Sequence, residues 1–232
     1  MSIRLAGRMV VDLSRPLRSG MTVFPGDPEV SMEVVAQLET HGFRVSALHL
    51  GSHSGTHVDA PSHSIDDGAA IDAVPLQMLI GPLRVLRATG RAPRSVITWA
   101  ELAPQADAVR AGEIVVIETG WDDRFDEPDS VDHPVLAPEV TEQLLSRGVR
   151  VIGVDSLSPD ASTPADDGSW RLPVHELMLG AGGLIIENLT NLGGVPDTGS
   201  ELIALPLSLP GLDGSPVRAV AVLPPPPSPA DR

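Results

Sequence analysis

Whatever this chain folds into must accommodate the stretch His49 to His63, which reads His-Leu-Gly-Ser-His-Ser-Gly-Thr-His-Val-Asp-Ala-Pro-Ser-His. Four of the seven histidines lie within it, His49, His53, His57 and His63, with Asp59 among them. Imidazole and carboxylate together suit a borderline divalent metal such as zinc or manganese. His57 and Asp59 are two residues apart, so an extended segment points both to one side. His53 precedes His57 by four. A helix would align that pair, but Ser54-Gly55-Thr56 is poor helix sequence, and a turn that folds His53 back onto His57 is expected instead. Pro61 interrupts any ladder and re-aims the chain before His63. His49 lies on the strand that leads in and reads as a structural or supporting histidine rather than a ligand.

A length of 232 residues with 42% hydrophobic composition is enough for one large α/β or mixed domain. Residues 1–223 are expected to form it, with 224–232 as a proline-rich tail. Cysteine is absent, which excludes disulfides, thiolate ligands and a cysteine nucleophile. Any metal must be held by histidine and carboxylate. Tyrosine is also absent, so no phenol serves as acid or base. Acidic residues outnumber basic ones 31 to 16, a formal net charge of −15. With no basic patch, nucleic acid is excluded as the expected partner, and an anionic membrane is disfavoured. No signal-like leader and no membrane-length apolar run occurs, so a cytoplasmic location is expected.

Taken in order, Arg8–Ser14 reads as a strand, followed by a turn-rich loop centred on Pro25-Gly26. Val30–Leu38 and Phe43–His49 alternate in the manner of two strands joined through Glu39-Thr40-His41-Gly42. The second delivers the chain into the histidine stretch. Ile71–Leu79 reads as a short helix, and Leu83–Arg87 as a strand. Thr98 with Glu101 forms a capping-box pattern. Glu113–Glu118 is a buried strand, Pro138 opens a helix that Gly148 closes, and Arg150–Val154 is another strand. A short helix over Val174–Leu179, a glycine break and a strand Leu184–Glu187 follow. Strands are expected at Leu202–Leu207 and Val217–Val222.

His175 and Glu187 read as a pair. They are twelve residues apart, with helix, glycine turn and strand between them. A helix rises about 1.5 Å per residue and a strand about 3.3 Å, so the outbound and return legs are comparable in length. Glu187 follows three apolar residues, and a buried carboxylate needs a partner, for which a metal is suited. A Ser nucleophile competes poorly, because no Gly-x-Ser-x-Gly elbow occurs.

The pattern His-x-Gly-Thr-His-x-Asp-x-Pro-x-His, met at His53, Gly55, Thr56, His57, Asp59, Pro61 and His63, resembles the signature of the cyclase family of metal-dependent hydrolases, the kynurenine formamidase- and isatin hydrolase-like enzymes. The resemblance implies a mixed α/β fold of the swivelling β/β/α type with a β-rich core. It implies that His53, His57 and Asp59 hold one divalent metal, that Asp59 and Glu187 bridge, and that His175 completes a second. Two zinc ions are the expected cofactor, with manganese as the alternative. It implies hydrolysis of a C–N amide bond in a small molecule, with metal-activated hydroxide as nucleophile and His63 as proton shuttle. A homodimer or homotetramer is implied as well. Formamidases of the family place a tryptophan in the early loop; here that loop follows Val23-Phe24 and has none. Phe24, Trp121 and Trp170 are the candidate pocket walls. Two alternatives stand beside amide hydrolysis: a polyketide-type cyclase or dehydratase using the same metals, and a metal- or ligand-binding protein without catalysis.

Overall fold

The computed structural model describes residues 3–225, so most of the proline-rich tail lies outside the described residues. The chain forms strands β1 (Ile3–Leu5), β2 (Arg8–Asp12), β3 (Ser31–Ala36), β4 (Val45–His49), β5 (His57–Asp59), β6 (Ile80–Arg87), β7 (Val96–Ile97), β8 (Ile114–Glu118), β9 (Val135–Leu136), β10 (Val151–Val154), β11 (Leu184–Glu187), β12 (Ser200–Ile203), β13 (Gly214–Pro216) and β14 (Val220–Val222). Its helices are α1 (Leu38–His41), α2 (Trp99–Ala106), α3 (Pro138–Ser146) and α4 (Pro173–Gly180). This is the expected mixed α/β architecture with a β-rich core.

Ten strands form one sheet in the order β1-β2-β14-β12-β6-β8-β10-β11-β5-β13. Its centre, β6-β8-β10-β11, is parallel, and each step along it crosses over through α2, α3 or α4, as parallel strands require. Buried strand residues alternate between two cores, following the two-residue period of the pleat. Val115 and Ile117 face the helices, packing with Leu102, Val140, Leu144 and Met178. Ile114 and Val116 face the opposite core, which holds Val58 of β5, Leu202 of β12 and Ala221 of β14. The flanking antiparallel strands therefore curl over that side. Residues 214–222 tie the curl together: β13 pairs with β5, Val217 donates to the Thr56 carbonyl, and β14 pairs with β2 and β12.

Helix α2 starts at the expected capping box, with the Thr98 and Glu101 side chains each meeting the other's backbone. The β3–β4 hairpin also forms as expected, though as a separate two-stranded sheet with α1 at its turn. Three readings need correction. Ile71–Leu79 is not one helix but two 3-10 turns, Ile71–Ala73 and Leu76–Leu79, because Val74 and Pro75 between them are extended. The strand expected to reach Leu207 stops at Ile203, and Pro206 keeps only an isolated bridge to Val217. The last strand begins at Val220, because Gly214–Pro216 upstream pairs with β5 as a strand of its own. Among the described residues no helix is long and apolar enough to cross a membrane.

Candidate metal centre

Two neighbouring strands supply the floor of the site. β5 runs antiparallel to β11, with Glu187 opposite His57 and Asp59 opposite Ile185. His57 and Asp59 share one face of β5, and the paired position adds Glu187 to that face. All three are buried. The His57 Nε2 lies 3.2 Å from Asp59 Oδ1 and 3.3 Å from Glu187 Oε2.

Three local structures add the remaining histidines. The turn before β5 is closed by the Ser54 hydroxyl, which accepts the Gly51 N–H, and by Gly55 at φ +66°. A side chain at Gly55 would also run into Leu17 at 2.6 Å. The turn folds His53 back as expected, its ring 4.9 Å from that of His57 and its Nδ1 2.7 Å from Asp59 Oδ1. After β5, the 3-10 turn Pro61–His63 presents the His63 ring 4.1 Å from His53 and 5.6 Å from His175. Helix α4 begins with Pro173 and has no side-chain cap at Leu172. Asp160 replaces that cap from outside: its carboxylate accepts the Val174 and His175 N–H groups and the His175 Nδ1–H. The His175 Nε2 is thereby aimed at Glu187 Oε1, 3.3 Å away, and Asp59 Oδ2, 3.7 Å away.

The donor set fits a divalent cation. His57 Nδ1 is tied to the Gly55 carbonyl at 2.8 Å and His175 Nδ1 to Asp160 at 2.8 Å, which leaves both Nε2 atoms facing inward, the arrangement that orients metal-ligating imidazoles. His57 Nε2, Asp59 Oδ2 and Glu187 Oε1 are buried without a hydrogen-bond partner among the described residues, a costly state for polar atoms unless something else satisfies them. Among the described residues three triads lie within metal-sharing distance. One is His53-His63-Asp213, which the sequence did not suggest; the others, His53-His57-Asp59 and Asp59-His175-Glu187, share Asp59. These are the two groups expected from sequence.

Electrostatics point the same way. Burial by itself lowers the pKa of His57, but Asp59 and Glu187 outweigh it and raise the ring to about 10. His53 goes to about 9 against the same burial effect, through Asp213 and Asp59. His175 is raised well above the usual histidine range by Asp160, Asp59 and Glu187, again despite burial. Burial opposes ionisation of Asp59 and Glu187, and for Glu187 so does the Asp59 charge, yet the imidazoles hold both below the usual carboxylate range. The centre is a concentrated anionic field that draws positive charge inward.

A cavity of about 320 Å³ opens onto these groups, a size that takes a small aromatic molecule. Phe24 and Trp170 form one wall, their rings 5.2 Å apart and tilted by 47°, as expected for two of the three aromatic candidates. Trp121 does not line it. That ring is buried beyond β8, where its Nε1–H donates to the Ser130 carbonyl and Arg124 lies over its face. His49 is also corrected. It stands exposed on β4 and supports no ligand, because the β3–β4 hairpin is not part of the large sheet.

Four polar residues of the site were not singled out from sequence. Asp160 orients His175. Asp213 accepts from His53 Nε2 at 2.9 Å and from His63 Nδ1 at 3.2 Å, and the His53 bond holds its carboxyl well below the usual range. Asp27, in the Pro25-Gly26 loop, lines the cavity, and its pKa is raised by burial. Asn188 follows Glu187 and lines it too. The only local signal was an Asp-Gly pair at Asp213-Gly214, which marks a turn and no more.

The sequence matches the family described as "Putative cyclase" over residues 11–161. It is 40% identical to a kynurenine formamidase of Paracidovorax citrulli (strain AAC00-1), covering 92% of this chain and 96% of that protein. It is 36% identical to a kynurenine formamidase of Delftia acidovorans (strain DSM 14801 / SPH-1), covering 92% and 97%. Among solved structures it resembles an isatin hydrolase bound to the product analogue thioisatinate, with a TM-score of 0.85, 28% identity, and coverage of 93% of this chain and 92% of that one. With the histidine–carboxylate centre, the matched residues and relatives aligned over nearly their whole length all in agreement, this chain belongs to the cyclase family.

Proposed function

We propose that this protein is a metal-dependent hydrolase that cleaves a C–N amide bond in a small aromatic molecule, an arylformamide or a cyclic amide. The observation that carries the reading is the convergence of unpartnered buried atoms of His57, Asp59 and Glu187, the first and last of which line an aromatic-walled cavity. The names of the relatives support the bond type. His53, His57 and Asp59 would hold one divalent cation, and Asp59, His175 and Glu187 a second. Zinc suits this all-histidine-and-carboxylate set, and manganese accepts it too. A cation bound there polarises a carbonyl and acidifies water.

The chain's own residues do the rest. Asp160 and the Gly55 carbonyl lock the His175 and His57 rings so that the inward nitrogens need no reorganisation. Asp213 holds His63 through Nδ1, leaving Nε2 as the nitrogen that exchanges protons. As a water oxygen bonds to the carbonyl carbon, Nε2 takes a proton from it. As the C–N bond breaks, Nε2 returns that proton to the leaving nitrogen. Phe24 and Trp170 stack on the ring of the substrate and narrow the access of bulk water.

The test is elemental analysis of protein purified without chelator, followed by turnover of an arylformamide such as N-formylkynurenine and a cyclic amide such as isatin in water labelled with heavy oxygen. Hydrolysis places one labelled oxygen in the acid product. Turnover without label would favour the cyclase or dehydratase reading, and no turnover by fully zinc-loaded protein would leave only a binding role.

A further inference from the structure

We propose that the side-chain amide oxygen of Asn188 accepts a hydrogen bond from the substrate's own N–H, making Asn188 the residue that selects secondary amides and lactams over esters and N-alkylated amides. The inference rests on the amide-hydrolase reading and names a substrate feature that reading leaves open.

Asn188 is 3% exposed, yet its Oδ1 has no partner among the described residues. A buried amide oxygen left unpaired is costly, and in native structures such a group is met by water, an ion or a ligand; the cavity that Asn188 lines is where a ligand would meet this one. The backbone there has φ +58°, a left-handed conformation that asparagine adopts more readily than most residues other than glycine. It is pinned from both sides: the Asn188 N–H donates to the Ser156 carbonyl at 3.0 Å, and the Thr56 hydroxyl donates to the Asn188 carbonyl at 2.7 Å. Neither of those bonds needs an asparagine side chain. Asn188 lines the cavity, one residue beyond Glu187. An acceptor on the N–H side also fixes the plane of the amide, so that the face of its nitrogen stays open to the His63 proton.

The experiment is calorimetric titration of zinc-loaded protein with two unreactive lactams, oxindole and 1-methyloxindole, using the wild-type chain, Asn188→Gly and Asn188→Asp. Glycine is suited to the left-handed backbone, and aspartate keeps an acceptor oxygen. Wild type is expected to bind oxindole about tenfold more tightly than its N-methyl counterpart, the scale of one buried hydrogen bond. Asn188→Gly is expected to bind both alike, and Asn188→Asp to keep the preference. Equal wild-type affinities, no binding of either lactam, an unchanged preference in Asn188→Gly or a lost one in Asn188→Asp each overturn the assignment. Because the readout is binding, a protein that prefers the N–H lactam yet hydrolyses nothing refutes the hydrolase reading alone. One that hydrolyses amides with no such preference refutes only the role of Asn188.

Discussion

At the scale of single residues, His63 and His175 differ in what their partners let them do. The His175 Nδ1 is buried against Asp160 and its Nε2 faces two carboxylates, so it is held as a ligand. His63 is partly exposed and bonded at Nδ1 only to Asp213, so it is free to exchange a proton. Replacing His63 with alanine is expected to reduce kcat by about 10²–10⁴-fold while zinc content, measured by plasma mass spectrometry, stays at the wild-type level. Loss of zinc from His63→Ala would make it a ligand instead. Asp160→Ala is expected to weaken zinc binding by about 10–100-fold, the usual cost of removing the carboxylate behind a ligating imidazole. Competition with a chromogenic chelator reads that change, and an unaltered affinity would leave Asp160 as a helix cap only. His53, His57, Asp59 and His63 were legible because fifteen residues hold all of them. Asp213 was not, because its partner His63 lies 150 residues away and nothing local to either announces the other.

At the scale of elements, the turn between α4 and β11 sets the distance between His175 and Glu187. Gly183 occupies its tightest point. A Cβ there would meet the Arg150 carbonyl oxygen at 2.7 Å and the Met178 carbonyl oxygen at 2.9 Å, both backbone atoms that cannot step aside. Gly183→Ala is expected to destabilise the fold by about 1–3 kcal/mol, seen as a lower urea midpoint, and to reduce zinc affinity with it. A variant with wild-type midpoint and affinity would show that the turn has slack. Elements with strong local signals were readable: the capping box before α2, the proline that opens α3, the apolar run of β8. β13 was not. Gly214-Ser215-Pro216 has no strand-like period, and it is extended because β5 offers it a partner. The run Ile71–Leu79 failed the other way, since its apolar spacing suits a helix but Pro75 holds the centre extended.

At the scale of the whole molecule, charge buried in the interior couples stability to solution conditions. Asp155, at the end of β10, is pushed up to about 6 by burial, although Thr119 and Gly120 donate to its carboxylate. Its unfolded value is about 3.9. Between about pH 4 and 6 the native carboxyl keeps a proton that the unfolded chain has released, so this group's contribution to stability is present below pH 4 and is lost as pH rises through 6. The loss is on the order of 3 kcal/mol. Urea midpoints from pH 4 to 7 are expected to show the wild type falling relative to Asp155→Asn over that window, and parallel curves would refute the shift. Cations act in the opposite sense. Bringing Asp59 beside Glu187 is unfavourable without positive charge between them, so zinc at a thousandfold excess over its Kd is expected to add about 4 kcal/mol. That raises Tm by on the order of 10 °C. A chelated sample that melts with the zinc-loaded one would mean that no cation binds the native centre.

The local order of residues was sufficient to specify the turn that returns His53 to His57, the shared face of His57 and Asp59, the capped helix α2 and the helix–glycine–strand path from His175 to Glu187. Each of these depends on interactions within a few positions, where backbone propensity and side-chain period act directly. Which halves meet, and what lies behind them, depended on the sheet. β5 pairs with β11 across more than a hundred intervening residues, and residues 214–222 close the sheet so that Asp213 reaches His53 and His63. Trp170 reaches Phe24, while Trp121 is turned into the interior. Contacts of that kind leave no local trace, because their energy comes from burying surfaces that are adjacent only after the chain has folded.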